Sequence, residues 1–141
     1  MFRRPDVCAI AIAALAGVVS VSARAADWQP IADDDDANRY SVDAARIIRE
    51  GSLVKAFVRT EYATPREDET TGTLIYAAVD RLQVRCEDGS FALESRNYVA
   101  ADGEEMPVVA SEREALKFRP AAAGSMSAAI VQRLCRPDRK R

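Results

Sequence analysis

Residues 73–86 read TLIYAAVDRLQVRC, and they are followed by a turn at 87–90 (EDGS) and the run FALESRNYVA at 91–100. The flanking residues alternate in polarity and include β-branched and aromatic side chains. The dipeptide Asp88-Gly89 between them is typical of a tight hairpin turn. This stretch therefore predicts two adjacent antiparallel strands, with Cys86 at the end of the first. We expect the rest of the chain to pack around this hairpin.

One carboxylate interrupts the apolar face of the first hairpin strand. The other positions on that face are Leu74, Tyr76, Ala78, Leu82, Val84 and Cys86. Because an unpaired buried carboxylate is costly, the interruption by Asp80 predicts a β-bulge near Val79 and Asp80. The alternate positions Arg81, Gln83 and Arg85 are expected to face solvent.

Further strands are predicted before the hairpin. Residues 52–62 (SLVKAFVRTEY) alternate with period two, and 28–31 and 39–42 form shorter extended pieces around the acidic run at 33–36. Pro30 restricts the first piece to a sheet edge. Residues 42–48 can form one helical turn. Residues 63–71, with Pro65 and several charges, are predicted to be a loop.

The last element is a helix with one apolar stripe. Ser125 is a candidate N-cap, and Met126, Ile130 and Leu134 follow at intervals of four. Cys135 lies at the end of this stripe, and Pro137 stops the helix. Residues 137–141 then form a basic tail, for which simple solubilisation or contact with anionic lipid or polysaccharide are both open.

The N-terminus predicts export. Arg3 and Arg4 precede an apolar run from Val7 to Val21, which is short for a membrane span, and a small-x-small site ends at Ala25. We therefore expect residues 1–25 to be a cleaved signal peptide, with an uncleaved anchor helix as the alternative. Cys8 stands at the start of the apolar run, so no lipid attachment is expected there.

Removal of residues 1–25 leaves 116 residues and two cysteines, Cys86 and Cys135. An even number in an oxidising compartment favours a structural disulfide, while a redox pair would require close spacing or an activating neighbour. The segment takes with it three arginines and one aspartate, leaving 17 cationic and 21 anionic side chains and a net charge of −4. An acidic domain without a basic face argues against nucleic acid as a partner.

No catalytic constellation is evident. The chain has no histidine, which removes the commonest general base and most zinc sites. The carboxylates at 67–69 and 104–105 lie in predicted loops and are expected to be solvated. The run 33–36 does not fit an EF-hand, because Arg39 and Ala45 stand where glycine and an acid are needed, although a weak irregular calcium site stays open. We expect no enzyme activity, cofactor or metal.

The order of these features resembles the surface-adhesin protein E family. The resemblance rests on 28–43 (WQPIADDDDANRYSVD), on Tyr62-Ala63-x-Pro65 at a strand end, and on a cysteine after the central strand matched by one ending the last helix. It spans 28–135, nearly the whole of the domain predicted at 26–136. A surface adhesin needs an anchor, and the lack of a lipid-attachment cysteine is a departure from that role.

The resemblance implies an α+β fold, with an antiparallel sheet of about six strands and a C-terminal helix packed on it. It also implies a bacterial envelope or surface location and binding to host extracellular-matrix or plasma proteins, or to other envelope proteins. The alternative is a soluble periplasmic protein with a structural or stress-related role. No binding residue can be assigned from the resemblance, because the matching positions look structural.

Overall fold

The computed structural model describes residues 25–108 and 116–136. Apart from Ala25, the predicted signal peptide lies outside these residues, as does the basic tail at 137–141. Eight strands and two helical segments are formed by the described residues. The strands are β1 (Trp28–Asp33), β2 (Arg39–Asp43), β3 (Ile48–Glu50), β4 (Leu53–Glu67), β5 (Leu74–Arg85), β6 (Ser90–Ala100), β7 (Glu105–Pro107) and β8 (Arg119–Pro120). A short 3-10 helix covers Ala44–Arg46, and helix α1 covers Met126–Cys135.

The strands form a single antiparallel sheet in the order β1-β2-β4-β5-β6-β7. The two remaining strands join this path at its sides, β3 beside β4 and β8 beside β6. The path of six strands, with α1 at the C-terminus, is the predicted α+β architecture, and that prediction is confirmed. Strands β5 and β6 form the hairpin predicted over residues 73–100. Gly89 at its turn has a φ of +70°, a value that glycine adopts without strain.

The main core lies between the sheet and helix α1. Alternation along β4 buries Val54, Ala56 and Val58 on one face, as the period-two pattern predicted. The helix contributes Ile130, Val131 and Leu134, and the remaining buried members are Val42, Leu82 and Val84. The apolar stripe of the helix is therefore its packing face, and the sheet face beneath it is the side that needs hydrophobic residues.

A smaller cluster lies on the other face of the sheet. It consists of Ala77, Val79 and Val99, with Trp28 and Phe57 packed against it. Gln83 is only 9% exposed, so the expectation that this side chain faces solvent is wrong. The sheet buries residues on both faces because the aromatic rings and long polar side chains of this second face cover its small residues.

The helix is held to the sheet covalently as well as by packing. The predicted disulfide joins Cys86, just after β5, to Cys135 at the end of α1, with 5.5 Å between their Cα atoms. Arg49 also donates to the Leu134 carbonyl at 2.6 Å, which satisfies one of the free carbonyls at the helix end. Within the described residues, no helix has the length and apolarity needed to cross a membrane.

Two expectations about strand β4 and strand β5 are wrong in detail. Strand β4 continues to Glu67, through most of the predicted loop, because β5 pairs with it again at Arg66 and Glu67. The β5–β6 register runs unbroken through Val79 and Asp80, and the shift comes one residue later, between Arg81 and Leu82. No bulge is needed at Asp80, because its carboxylate has a partner on β6.

Candidate binding site

The far end of the β4–β5 hairpin projects beyond the core under α1. We call residues 62–76 the hairpin arm. Its register is irregular, because the paired residues jump from Glu61–Ala77 to Arg66–Ile75, leaving four residues of β4 opposite Tyr76. Tyr76 also has no partner on β6, because its neighbours Ile75 and Ala77 pair with the consecutive residues Ala100 and Val99. Leu74 and Tyr76 are 49% and 40% exposed, so the arm presents large apolar side chains to solvent, contrary to the expectation that they share a buried face.

A polar turn between β1 and β2 holds the base of the arm. The Asp34 carboxylate accepts hydrogen bonds from the Asn38 amide at 2.9 Å, the Asn38 side chain at 3.0 Å and the Tyr40 hydroxyl at 3.0 Å. The Asn38 side chain is 6% exposed, and its Oδ1 accepts from the Ala63 amide at 3.1 Å. The hydrogen bond from the Asn38 side chain is the main cause that lowers the pKa of Asp34. Asp34 therefore organises a turn that fixes the first residues of the arm.

A cavity of about 250 Å³ opens between the arm and strand β6. We call it the tyrosine pocket. Its lining residues are Tyr62, Arg66, Glu67, Asp68, Glu69, Ile75, Arg96 and Tyr98. The Arg66 guanidinium lies 4.2 Å from the centre of the Tyr62 ring, the geometry of a cation–π contact. The pocket therefore has aromatic walls, an apolar side chain from Ile75 and a charged rim.

A cross-strand ion pair lies next to the tyrosine pocket. Arg96 donates two hydrogen bonds to Asp80, from Nε at 2.6 Å and from a terminal nitrogen at 2.7 Å. These two residues are direct partners in the β5–β6 register. The hydrogen bonds to Asp80 are the main cause that raises the pKa of Arg96 above its usual range. The bidentate pair compensates both charges and gives the carboxylate on the apolar face its partner.

Tyr62 in the pocket wall and Tyr40 in the β1–β2 turn stay protonated at physiological pH. Burial raises the pKa of Tyr62, and it raises the pKa of Tyr40 to about 12 together with the hydrogen bond to Asp34. A tyrosine with a raised pKa is a poor general base but a good hydrogen-bond donor and aromatic surface. The groups that line the tyrosine pocket are therefore suited to recognition.

A second groove, of about 370 Å³, lies along the other side of the arm. It is lined by Ala37, Arg39, Arg59, Glu61, Tyr62, Ala63, Tyr76 and Ala77. Glu61 stands between two cations, because it pairs with Arg39 and also lies 3.3 Å from Arg59 Nε. Tyr62 borders both cavities, so the arm separates two recognition surfaces that share one ring.

The acidic clusters of the sequence lie in separate parts of the structure. The carboxylates at 67–69 reach the rim of the tyrosine pocket, whereas those at 33–36 belong to the β1–β2 turn. Glu105 accepts a hydrogen bond from Asn97 at 3.1 Å and lies on β7. Among residues 25–108 and 116–136, no three His, Cys, Asp or Glu side chains form a group that could hold a metal ion.

The residues that form the tyrosine pocket carry no pattern in the sequence that marks them as a site. In the sequence, Tyr62 and Tyr98 are simply residues of predicted strands, and Arg66 lies in a predicted loop. The one indication in the sequence is Asp80, because a carboxylate on the apolar face of a strand predicts a cationic side chain as its partner. Its partner Arg96 could not be chosen without the register, because several arginines lie in the neighbouring segments.

Comparison with known families shows which family this chain is similar to. A family model described as surface-adhesin protein E matches residues 28–136. The match begins at the first residue of β1, ends just after α1, and includes all residues that line the tyrosine pocket. No curated protein and no solved structure matches the chain.

Proposed function

Because the chain belongs to the surface-adhesin protein E family, we propose that it is a non-enzymatic bacterial envelope protein that binds other proteins. Host extracellular-matrix and plasma proteins are the first candidate partners, followed by other proteins of the envelope. The observation that carries this proposal is the family match, which extends over residues 28–136 and so over the whole sheet and helix.

Export of the chain is part of the proposal. The basic residues Arg3 and Arg4, the apolar run and the small residues before Ala25 support a cleaved signal peptide at 1–25. The Cys86–Cys135 disulfide fits an oxidising compartment such as the periplasm or the cell exterior. Residues 26–136 would then be the mature domain, and 137–141 its basic tail.

The hairpin arm is the surface that best suits protein binding. Leu74 and Tyr76 are large and exposed, Tyr76 lines the second groove, and the arm also carries Arg66 and the carboxylates at 67–69. Aromatic and arginine side chains at a partly concave surface are typical of protein interfaces. The two cavities on either side of Tyr62 would receive side chains of the partner.

A localisation experiment tests the first part of this proposal. Surface labelling and protease treatment of intact cells, followed by fractionation, should modify the protein while a periplasmic control protein stays intact. Release by osmotic shock without surface labelling would instead place the chain in the periplasm and remove the adhesive role.

A binding experiment tests the role of the arm. We expect the purified protein to bind immobilised extracellular-matrix or plasma proteins saturably, and Tyr76→Ser to weaken this binding by at least roughly tenfold, as for an aromatic interface residue. Ile48→Ser is the matched control, because Ile48 is also exposed, at 50%, but lies on β3, away from the arm. Equal loss of binding in both variants would contradict the assignment of the arm.

A further inference from the structure

We infer that the tyrosine pocket receives a basic side chain, an arginine or lysine of the bound protein, and that Arg66 occupies its cation position in the free protein. This inference rests on the proposed protein-binding function and names the chemistry that one of its two cavities recognises. It follows from the size of the pocket, from its charges and from the contact between Arg66 and Tyr62.

The size and walls of the tyrosine pocket fit one side chain. Its volume of about 250 Å³ is several times the share of liquid volume that one water takes, about 30 Å³. Tyr62 and Tyr98 supply aromatic surface, and Ile75, which is 4% exposed, adds an apolar contact for the methylene stem of the ligand. Aromatic walls attract a cation through the negative face of the ring.

The charges of the pocket favour a cation. Of its two arginines, Arg96 is compensated by the bidentate bond to Asp80. The Asp68 carboxylate accepts hydrogen bonds from the amides of Thr70 and Thr71 and closes the loop at the tip of the arm. The carboxylates of Glu67 and Glu69, both exposed, have no ion pair or hydrogen bond among the described residues. Two uncompensated carboxylates therefore remain at the rim to bind an ammonium or guanidinium group.

Arg66 shows where such a cation would lie. Its guanidinium is 4.2 Å from the centre of the Tyr62 ring, and the side chain is otherwise solvent-exposed on the arm. A cation–π contact at an exposed site is weak, so an incoming cation can displace it without a large cost. An anionic ligand would instead need Arg66 as its partner and would be repelled by Glu67 and Glu69. Removal of the Arg66 side chain should therefore strengthen the binding of a cationic ligand and weaken the binding of an anionic one.

The test is a titration of the isotope-labelled protein followed by amide NMR. The probes are N-acetylarginine methylamide and its lysine analogue, with the N-acetylglutamate compound as the anionic counterpart. We expect millimolar binding of the two cationic probes, with shifts centred on Tyr62, Ile75 and Tyr98. Arg66→Ala should tighten this binding roughly two- to fivefold, the factor expected from removal of an exposed cation–π competitor, whereas Arg66→Lys should leave it close to wild type.

A second pair of variants tests the carboxylates. Replacement of both Glu67 and Glu69 by Gln should weaken binding of the cationic probes several-fold. Glu87→Gln is the matched control, since Glu87 is an exposed carboxylate in the β5–β6 turn, outside the arm, and its loss should change nothing. The same NMR spectra show whether each variant keeps the fold.

Three outcomes would overturn the inference. They are shifts located away from the tyrosine pocket, weaker binding of the cationic probes by Arg66→Ala, and preferential binding of the glutamate probe.

Failure of the proposed function is a separate result. If the protein binds matrix proteins but the arginine probe does not enter the pocket, only this inference fails. If the probe binds as expected but no matrix or plasma protein does, the adhesive role fails and the pocket assignment stands.

Discussion

Asp43 is fully buried, with 0% exposure, and it begins the short helical turn at Ala44–Arg46. Its carboxylate accepts hydrogen bonds from the Asp27 amide at 2.9 Å and the Ala45 amide at 3.1 Å, and it pairs with Arg46. Burial by itself raises the pKa of Asp43, but these donors together outweigh burial and lower the pKa below its ordinary value of 3.8. The charged form therefore stabilises the folded chain.

The lowered pKa of Asp43 gives a pH-dependent prediction. Such a group contributes stability above its unfolded pKa, and this contribution is lost as the pH falls through the folded pKa. We expect Asp43→Asn to lower the free energy of unfolding by about 2 kcal/mol at neutral pH. The difference from wild type should shrink as the pH falls below 3.8. Urea denaturation over a pH series measures it.

Asp35→Asn is the control for this experiment. Asp35 belongs to the same acidic run, but its side chain is exposed, so the variant should unfold like wild type at every pH. If the free energy of unfolding of Asp43→Asn stays below that of wild type by a constant amount down to the lowest pH, the charge of Asp43 does not provide the stability.

The C-terminal helix is the element whose limits the sequence predicts most directly. The Ser125 hydroxyl accepts from the Ala128 amide at 3.1 Å, as expected for the proposed N-cap, and it donates to the Ala122 carbonyl at 2.5 Å. Both hydrogen bonds are local, so they depend on the residue types at nearby positions. Packing of α1 on the sheet then follows from the apolar stripe that contains Ile130 and Leu134.

The cap gives a prediction at the scale of this element. We expect Ser125→Ala to destabilise the protein by about 1 kcal/mol, because the Ala128 amide loses its acceptor. Ser127→Ala is the control, since Ser127 lies inside the helix, where alanine is the better helix former. Chemical denaturation should rank Ser125→Ala below wild type and Ser127→Ala at or slightly above it. The reverse order would mean that the cap contributes nothing measurable.

Strand β4 illustrates what local sequence could not provide. Proline and several charges at 63–71 predict a loop, yet β4 extends to Glu67. Extended backbone at Pro65 is compatible with a strand where no hydrogen-bond donor is required, and the irregular register leaves this residue unpaired with β5. The resumed pairing at Arg66 and Glu67 is a contact with Ile75 and Leu74 that propensity alone does not predict.

At the scale of the whole molecule, one covalent bond joins the sheet to the helix. Cys86 and Cys135 are 49 positions apart, and the loop they close contains β6, β7, β8 and α1. In the chain-entropy model a loop of this size stabilises the folded state by about 4 kcal/mol, mainly by restricting the unfolded chain. This is a large fraction of the stability expected for a domain of this size.

We therefore expect removal of the disulfide to weaken the whole molecule. The double variant Cys86→Ala/Cys135→Ala should melt roughly 15 °C below wild type. Reducing agent should lower the Tm of wild type by a similar amount and leave the double variant unchanged, which provides the control. Calorimetry or circular dichroism measures both. Two reactive thiols in denatured, unreduced wild-type protein would contradict this prediction.

The sequence by itself determined the antiparallel strands, the cysteine pair, the cap of α1 and the resemblance to the adhesin family. These features depend on the alternation of polar and apolar residues, on the spacing of particular residues and on local hydrogen bonds. All of these follow from which residue types occupy nearby positions. The tyrosine pocket depended on tertiary structure. It required the shifted register at Tyr76, the Asp80–Arg96 pair and the placement of Arg66 over Tyr62. The first two are set by strand pairing, so a change of one residue in register would remove them. The third is a contact within β4, across the residues that are not paired with β5.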